Sequence, residues 1–577
     1  MYLTPEEKQI GKDNFNTAVA YGLSRRDLLK GTIAAGLVAG GGLGSFYYGY
    51  GKSLGDPLRI GVIGTGDEGC VLLGAVNPEF IKVVAIADIR PYNIHRAFHG
   101  DWYSDAQLKV RPGLMAKYGW KTEDEARRHV KVYDKDYREL IQDPNVEAVV
   151  IGLPLHLHAP VAIEAMRAGK HVLTEKLMAK TVAECKEMAK VAAETGKILA
   201  VGHQRHYNIL YDNAKDIIKN GLIGDLHYIR AQWHRANLPG RDSWAQPLPP
   251  GTRKGEKGDD KLAKDLENWK KQLAKAEGAE IEKWQKKIAQ LEAQIKDKLV
   301  DAAKYGYEEK VVKDAAGNVK YQASPLEELI RWRLWARTGG GLMVELGSHQ
   351  LDAASIFIAA LHEAVAKDKN EIKHIHPLTV AAGGSRSLFD WDREIEDHLY
   401  CVLEFPAPGY DPKDPLGRLR KIGVSYASIN GNGFGGYGEI VFGTKGTLIL
   451  ELEKESMLFK ESDTKSRIEI KEGKGGPTID TQASAPGHAA AQGAAAIGPD
   501  VSRGYREELE HWAWCIRNPD PKNKPRCGPE VALGDAVIAL TTNIAARKGM
   551  RIEFKEEWFD PKRPETPETD PEISKTA

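Results

Sequence analysis

One glycine loop, set between an apolar strand and a helix, constrains this chain more than any other feature. Leu58, Ile60, Val62 and Ile63 give the strand pattern, and Gly64-Thr65-Gly66-Asp67-Glu68-Gly69 follows directly. A short helical stretch and a second apolar strand (Val83, Val84, Ile86) then lead to Asp88. A GxGxxG run alone is a weak signal, but in this setting it predicts a dinucleotide-binding unit. The first glycine permits the tight turn. The second lets backbone approach a pyrophosphate at a helix N-terminus, where free N–H groups attract anions. Asp88 can accept hydrogen bonds from a ribose diol and repels a 2′-phosphate, which favours NAD. Arg90, two residues on, can meet a 2′-phosphate or stack on adenine, which keeps NADP open.

Apolar runs at 58–64, 82–88, 129–133, 146–153, 171–175 and 198–203 alternate with helical segments. Their unbroken apolar character suits parallel strands covered on both faces. The expectation is an α/β chain with an N-terminal, doubly wound Rossmann sheet over 56–203. After Asn220, strand-like stretches follow one another at 226–234, 396–405, 420–429, 437–442 and 446–452, with Gly443-Thr444-Lys445-Gly446 as a hairpin turn. This predicts a C-terminal α+β domain over 204–555 with a large, mostly antiparallel sheet, closed by helices near 503–518 and 530–547. An insertion at 245–330 holds a Lys/Glu/Ala-rich helical hairpin broken near Gly278; it reads as a lid, a subunit contact or a solvated decoration. Residues 474–500 read as a flexible loop, and the Pro/Glu/Lys-rich tail 556–577 as disordered.

Before the first domain, residues 24–30 read Ser-Arg-Arg-Asp-Leu-Leu-Lys, followed by a weakly apolar Gly/Ala-rich run from Thr32 to Phe46. That order matches a twin-arginine export signal within residues 1–51, whose partner is the twin-arginine translocase. The expected location is periplasmic or extracytoplasmic, with an uncleaved membrane anchor as the variant on which Phe46, Tyr47, Tyr48 and Tyr50 bear. Free nucleotide is scarce there. A working enzyme would carry its cofactor captive and return it to its starting redox state on the protein. Among 577 residues, 81 basic and 81 acidic side chains balance, against a nucleic-acid partner. The five cysteines are scattered without a CxxC, so neither a disulfide framework nor a metal site is expected.

Lys176 ends an apolar strand and so lies at the carboxyl edge of the sheet, where open α/β folds bind ligands. An ammonium there can hydrogen-bond a substrate hydroxyl and stabilise a developing alkoxide. Gly339-Gly340-Gly341 opens a helix on which Glu345 and His349 share one face. His349, with an unperturbed pKa of ~6.5, suits a proton acceptor, and Glu345 can orient it or touch substrate. His156 and His158, after the fourth strand, border the cofactor. Trp233 and His234, with Arg235 beside them, end a strand and can offer a stacking face to a sugar ring.

The stretch Ala168-Gly-Lys-His-Val-Leu-Thr-Glu-Lys-Leu-Met-Ala179 resembles the Glu-Lys-Pro segment of the glucose-fructose oxidoreductase/inositol dehydrogenase/MocA family. The glycine loop, Asp143-Pro144-Asn145-Val146, Leu153-Pro154-Leu155-His156-Leu157-His158 and the 339–349 stretch also fit. The resemblance covers roughly 57–235 and 331–555. It departs in two places: Leu177 stands where proline is usual, often in a cis peptide, and Glu345 where an aspartate is usual. The resemblance implies that Lys176, His349 and Glu345 are catalytic. It places Gly64, Thr65, Gly66, Glu68, Gly69, Asp88, Arg90, Pro154, His156, His158, Glu175 and Lys176 around NAD. It also lines a sugar pocket with His203, Gln204 and Arg205, joined by Trp233 and His234, and implies a homo-oligomer. The expected activity is an exported NAD(P)-dependent oxidoreductase acting on a sugar, cyclitol or related polyol. The alternative is a glycoside hydrolase or lyase acting by transient oxidation of the sugar; a non-catalytic sugar binder is a third class.

Overall fold

The computed structural model of the protein describes residues 3–30, 48–50, 55–252, 261–366, 375–473, 476–481 and 503–575. Six strands, β1 (Leu58–Ile63), β2 (Ile81–Ala87), β3 (Lys131–Tyr133), β4 (Ala148–Ile151), β5 (His171–Glu175) and β6 (Leu199–Gly202), form one sheet ordered β3-β2-β1-β4-β5-β6. Every pairing is parallel. The Val/Ile/Leu-rich strands β4 and β6 are buried along their whole length, because helices cover both faces. Strand order reverses between β1 and β4, which opens a crevice beyond their carboxyl ends.

The second domain carries eight strands: β7 (Leu226–Trp233), β8 (Thr379–Ser385), β9 (His398–Pro406), β10 (Lys421–Ile429), β11 (Tyr437–Gly443), β12 (Gly446–Glu451), β13 (Glu455–Lys460) and β14 (Arg551–Glu553). Their order is β13-β12-β11-β7-β10-β9-β8-β14, antiparallel throughout except for β7 beside β10. One residue in two faces the core, as β10 shows by its strict alternation. Helices α6 (Ser348–Val365) and α7 (Pro529–Lys548) cover the inner face, and the core runs continuously from one domain to the other.

Three segments add to this plan. Helix α1 (Pro5–Lys30) lies along β13, burying Phe15, Ala18 and Val19; the apolar run Thr32–Phe46 falls outside the described residues. Among the described residues no helix is long and apolar enough to cross a membrane. The expected helical hairpin is α4 (Lys261–Leu273) and α5 (Ala279–Lys296), joined through Gly278 at φ 55°. It docks on the Rossmann domain against α3 (Pro91–His99). Gln290 accepts from the Trp102 N–H at 2.6 Å and donates to Asp101 at 2.9 Å.

The tail corrects an expectation. Residues 556–575 are not disordered: Trp558 is fully buried and Lys186 Nζ donates to the carbonyls of Glu557, Arg563 and Glu565. A Pro/Glu-rich composition lacks a core of its own, but here it borrows one from the first domain. Part of the segment expected to be a flexible loop is also strand, since 476–481 pair with 468–473. Residues 482–502 lie outside the described residues.

Candidate active site

One cavity of about 2360 Å³ runs from the glycine loop, across the carboxyl ends of β1, β4 and β5, to the inner face of the second domain. Gly64 takes φ +86°, and a Cβ on it would meet the Gly152 carbonyl oxygen at 2.5 Å. A Cβ on Gly69 would sit 2.1 Å from the Gly64 oxygen, so this glycine lets α2 (Asp67–Ala75) pack on β1. Gly66 differs: the nearest atom to its would-be Cβ is 3.8 Å away. Gly66 caps α2 with no side chain on the first N–H groups, so the helix start is free to receive an anion. An open cradle at a bare helix N-terminus is what a dinucleotide pyrophosphate requires, and the residues present fit that group.

Asp88, at the end of β2, accepts from Thr65 N at 2.8 Å, from Asn93 Nδ2 at 3.1 Å and from Arg90 N at 2.9 Å. These bonds fix the carboxylate at the edge of the crevice. Arg90 does not face the crevice alone. Its Nε donates to Asp297 at 2.9 Å, and the other Asp297 oxygen takes the Tyr92 N–H at 3.0 Å. Asp297 comes from the end of the helical insertion and is fully buried. Burial pushes Asp297 upward, while Arg90 pulls against it.

The catalytic candidates Lys176, Glu345 and His349 all line this cavity. The Lys176–Leu177 peptide is cis, with leucine in place of the usual proline. Lys176 Nζ donates to the Glu345 carbonyl at 2.7 Å and faces that of Val344 at 3.5 Å. Those carbonyls belong to a π-helical turn, Met343–Gly347, that opens α6; wide turns of this kind free backbone oxygens and recur at functional sites. Burial pushes the Glu345 carboxyl up, but Arg333 and then Lys176 bring it below the usual carboxylate range; Arg333 Nε donates to it at 2.8 Å. His349 is 8% exposed, with Nδ1 unpartnered, and its ring lies 5.4 Å from that of Trp233. Burial first, then Lys176, hold its pKa well below the ordinary imidazole value, so the ring is neutral.

Of the other predicted residues, Gly64, Gly66, Glu68, Asp88, Arg90, Pro154, His158, Glu175, Gln204 and Trp233 also line the cavity. Burial raises Glu68, and burial with Glu68 beside it raises Glu175 well above its ordinary value. The His158 ring bridges the Leu153 and Leu177 carbonyls, at 2.8 Å each, and so ties the turn after β4 to the segment after Lys176. Thr65, Gly69, His156, His203, Arg205 and His234 stand behind the lining. Thr65 is fully buried, and its N–H holds Asp88. His156 packs edge-on against Tyr307 of the insertion at 5.7 Å, its pKa lowered to about 3 by burial and then Arg337. His203 is fully buried between Asp352 at 3.6 Å and Asp535 at 3.9 Å. Arg205 is fully desolvated between Glu439 at 3.1 Å and Glu453 at 2.9 Å, and donates to the His349 carbonyl. It supports the helix that carries His349. His234 is half-buried, its backbone N–H on Gly436 at 2.9 Å.

Arg235, expected beside a sugar-stacking face, reaches the cavity, and so does Arg333, which sequence reasoning passed over; Trp332, Asn237 and Trp244 join them. The only hint was the density of Arg and Trp in Arg331-Trp-Arg-Leu-Trp335, just before the glycine turn.

Residues 58–203 match the Gfo/Idh/MocA oxidoreductase family, NAD-binding Rossmann fold. A 1-carboxy-3-chloro-3,4-dihydroxycyclohexa-1,5-diene dehydrogenase of Comamonas testosteroni is 32% identical over 179 residues, 30% of this chain and 37% of that protein. A myo-inositol 2-dehydrogenase of Thermotoga maritima is 27% identical over 179 residues, 30% of this chain and 44% of that protein. The chain thus matches less than half the length of these curated relatives. Among solved structures, an oxidoreductase domain protein from Kribbella flavida aligns over 87% of this chain and 100% of its own, with TM-score 0.51 and 15% identity, a likeness of fold. The first domain of this chain, residues 58–203, is therefore a Rossmann domain that matches the NAD-binding domain model of the Gfo/Idh/MocA oxidoreductases.

Proposed function

We propose that the protein is an NAD-dependent oxidoreductase acting on a secondary alcohol of a sugar, cyclitol or related polyol. The observation that carries this reading is the convergence, in one cavity, of an open glycine cradle, a lysine ammonium and a neutral buried imidazole. Gly64, Gly66 and the start of α2 would hold the pyrophosphate, and Asp88 a ribose diol. When bound, the nicotinamide supplies the hydride acceptor. Lys176 keeps at least one N–H for the substrate oxygen and stabilises negative charge there as the carbinol C–H breaks. His349, neutral in its buried setting, takes the hydroxyl proton. Glu345 stays ionised on Arg333 and is a positioning residue. The cyclic-alcohol dehydrogenases among the relatives support this substrate class.

The test is Lys176→Met. Nucleotide content should be unchanged while reduction of bound nicotinamide falls at least a thousandfold; turnover near wild type would overturn the assignment. Export by the twin-arginine route, with a captive nucleotide, belongs to the same proposal and rests on Ser24–Lys30. Mass spectrometry of what denatured protein releases checks it, since an empty preparation that turns over only with added NAD would remove the captive cofactor. Pairing of two copies through the open face of the large sheet is supported by exposed Tyr228, Tyr400 and Val402. Val402→Lys should then halve the mass seen by light scattering.

A further inference from the structure

The substrate end of the cavity holds more positive charge than its carboxylates balance. Most of its arginines are matched: Arg333 by Glu345 at 2.8 Å, Arg393 by Asp242 at 2.8 Å and Asp392 at 2.9 Å, Arg331 by Glu327 at 2.9 Å. Arg235 has no carboxylate within 4.0 Å among the described residues. Its guanidinium lies 5.6 Å over the Trp244 ring and Nη1 reaches Ser243 Oγ at 3.3 Å, but Nε is buried with no partner. Among the described residues the Lys176 ammonium likewise hydrogen-bonds only carbonyls. The nearby carboxyls do not offset these cations, because Glu345 is spent on Arg333 and burial raises Glu68 and Glu175 toward their neutral forms. Beside Arg235 stands Asn237, 8% exposed, whose Oδ1 takes Ser243 while its Nδ2 also lacks a partner.

Arg235 is half-buried, but its Nε and the neighbouring Asn237 amide are shielded from water without a partner among the described residues, a cost that a ligand completing them would remove. We propose that the substrate carries a carboxylate, as in a uronic acid, and that Arg235 with Asn237 is the site that receives it. The planar edge of a guanidinium matches the two oxygens of a carboxylate, and the cation–π contact with Trp244 and the bond to Ser243 restrain it. A phosphate or sulfate ester has three outer oxygens. Of the two cavity arginines without a counter-ion among the described residues, Arg241 is exposed, and Arg235 is the one beside the unmatched Asn237 amide. The carboxylate is therefore the assignment. This inference rests on the oxidoreductase reading only for the reaction, not for the binding site.

The experiment uses the full-length protein with its nucleotide, a hexuronate, the corresponding neutral hexose and a hexose 6-sulfate. Calorimetry reads binding, and absorbance of reduced nicotinamide reads turnover. Wild type should bind the uronate at least tenfold more tightly than either of the others. Arg235→Gln should shrink that preference below threefold, and Arg235→Lys should restore part of it. The wild-type comparison stands without the variants if either destabilises the fold. Equal binding of hexose and uronate, or preference for the sulfate, overturns the carboxylate site and leaves the oxidoreductase reading in place. Arg235-dependent uronate binding without any nicotinamide reduction upholds the site and removes the oxidoreductase reading.

Discussion

Gly66 and Gly69 lie three residues apart and carry opposite expectations. A side chain at Gly66 meets nothing closer than 3.8 Å inside the protein, whereas one at Gly69 strikes the Gly64 carbonyl. Gly66→Val should therefore lower bound nucleotide at least tenfold with the melting temperature of the nucleotide-free protein unchanged, and Gly69→Val should lower both; nucleotide assay beside melting of stripped protein separates them. Asp297 also makes a prediction. Removing its charge in Asp297→Asn releases Arg90 beside Asp88, the proposed partner of the ribose, and affinity for NADP relative to NAD should rise several-fold by fluorescence titration. The His349 imidazole gives a pH expectation. Because its pKa is depressed, the neutral, proton-accepting form persists below the ordinary imidazole range, so the acid limb of kcat/KM should fall below ~6.5. The glycine cradle, Asp88, Lys176 and His349 were legible because each sits at a fixed place relative to a strand or helix start. Arg205 and His203 were not, since successive side chains on a tight turn diverge: Gln204 meets the cavity while its neighbours turn to buried carboxylates. Asp297 owes its role to Arg90 and Tyr92, about two hundred positions away, which no local pattern encodes.

At the level of elements, periodicity served well where strands are buried and poorly where they are short. All six strands of the Rossmann sheet fall within a few residues of their apolar runs. Strands β8 and β14 escaped because a Gly- and Ala-rich or three-residue segment carries little alternation, and β13 because Met457, Leu458 and Phe459 are consecutive buried residues with no alternation. The helical hairpin was visible from its 3-4 spacing, but its side of the molecule was not. Its docking depends on Gln290, which satisfies both the Trp102 N–H and Asp101. Gln290→Ala leaves buried polar groups unmatched at a cost of about 1–3 kcal/mol. Faster amide exchange confined to α4, α5 and 91–103 is the expected result.

For the whole molecule, two sheets share one core, and the site lies where the edge of the first meets the covered face of the second. Helix α1 closes the far edge of the larger sheet: Lys8 pairs with Glu451 at 2.5 Å, Lys12 with Glu455 at 2.6 Å, and Asn14 takes the Ile468 N–H at 3.0 Å. An uncovered edge strand is a template for wrong pairing. Removal of residues 1–30 should leave the β13 edge open and raise aggregation, read by light scattering during a melt. The distance along the chain between these partners has its own meaning. The opening helix binds to residues that a ribosome makes more than four hundred positions later. This helix can touch the segment at 209–219 sooner, but its ion pairs with the sheet edge close only after most of the described chain has been built.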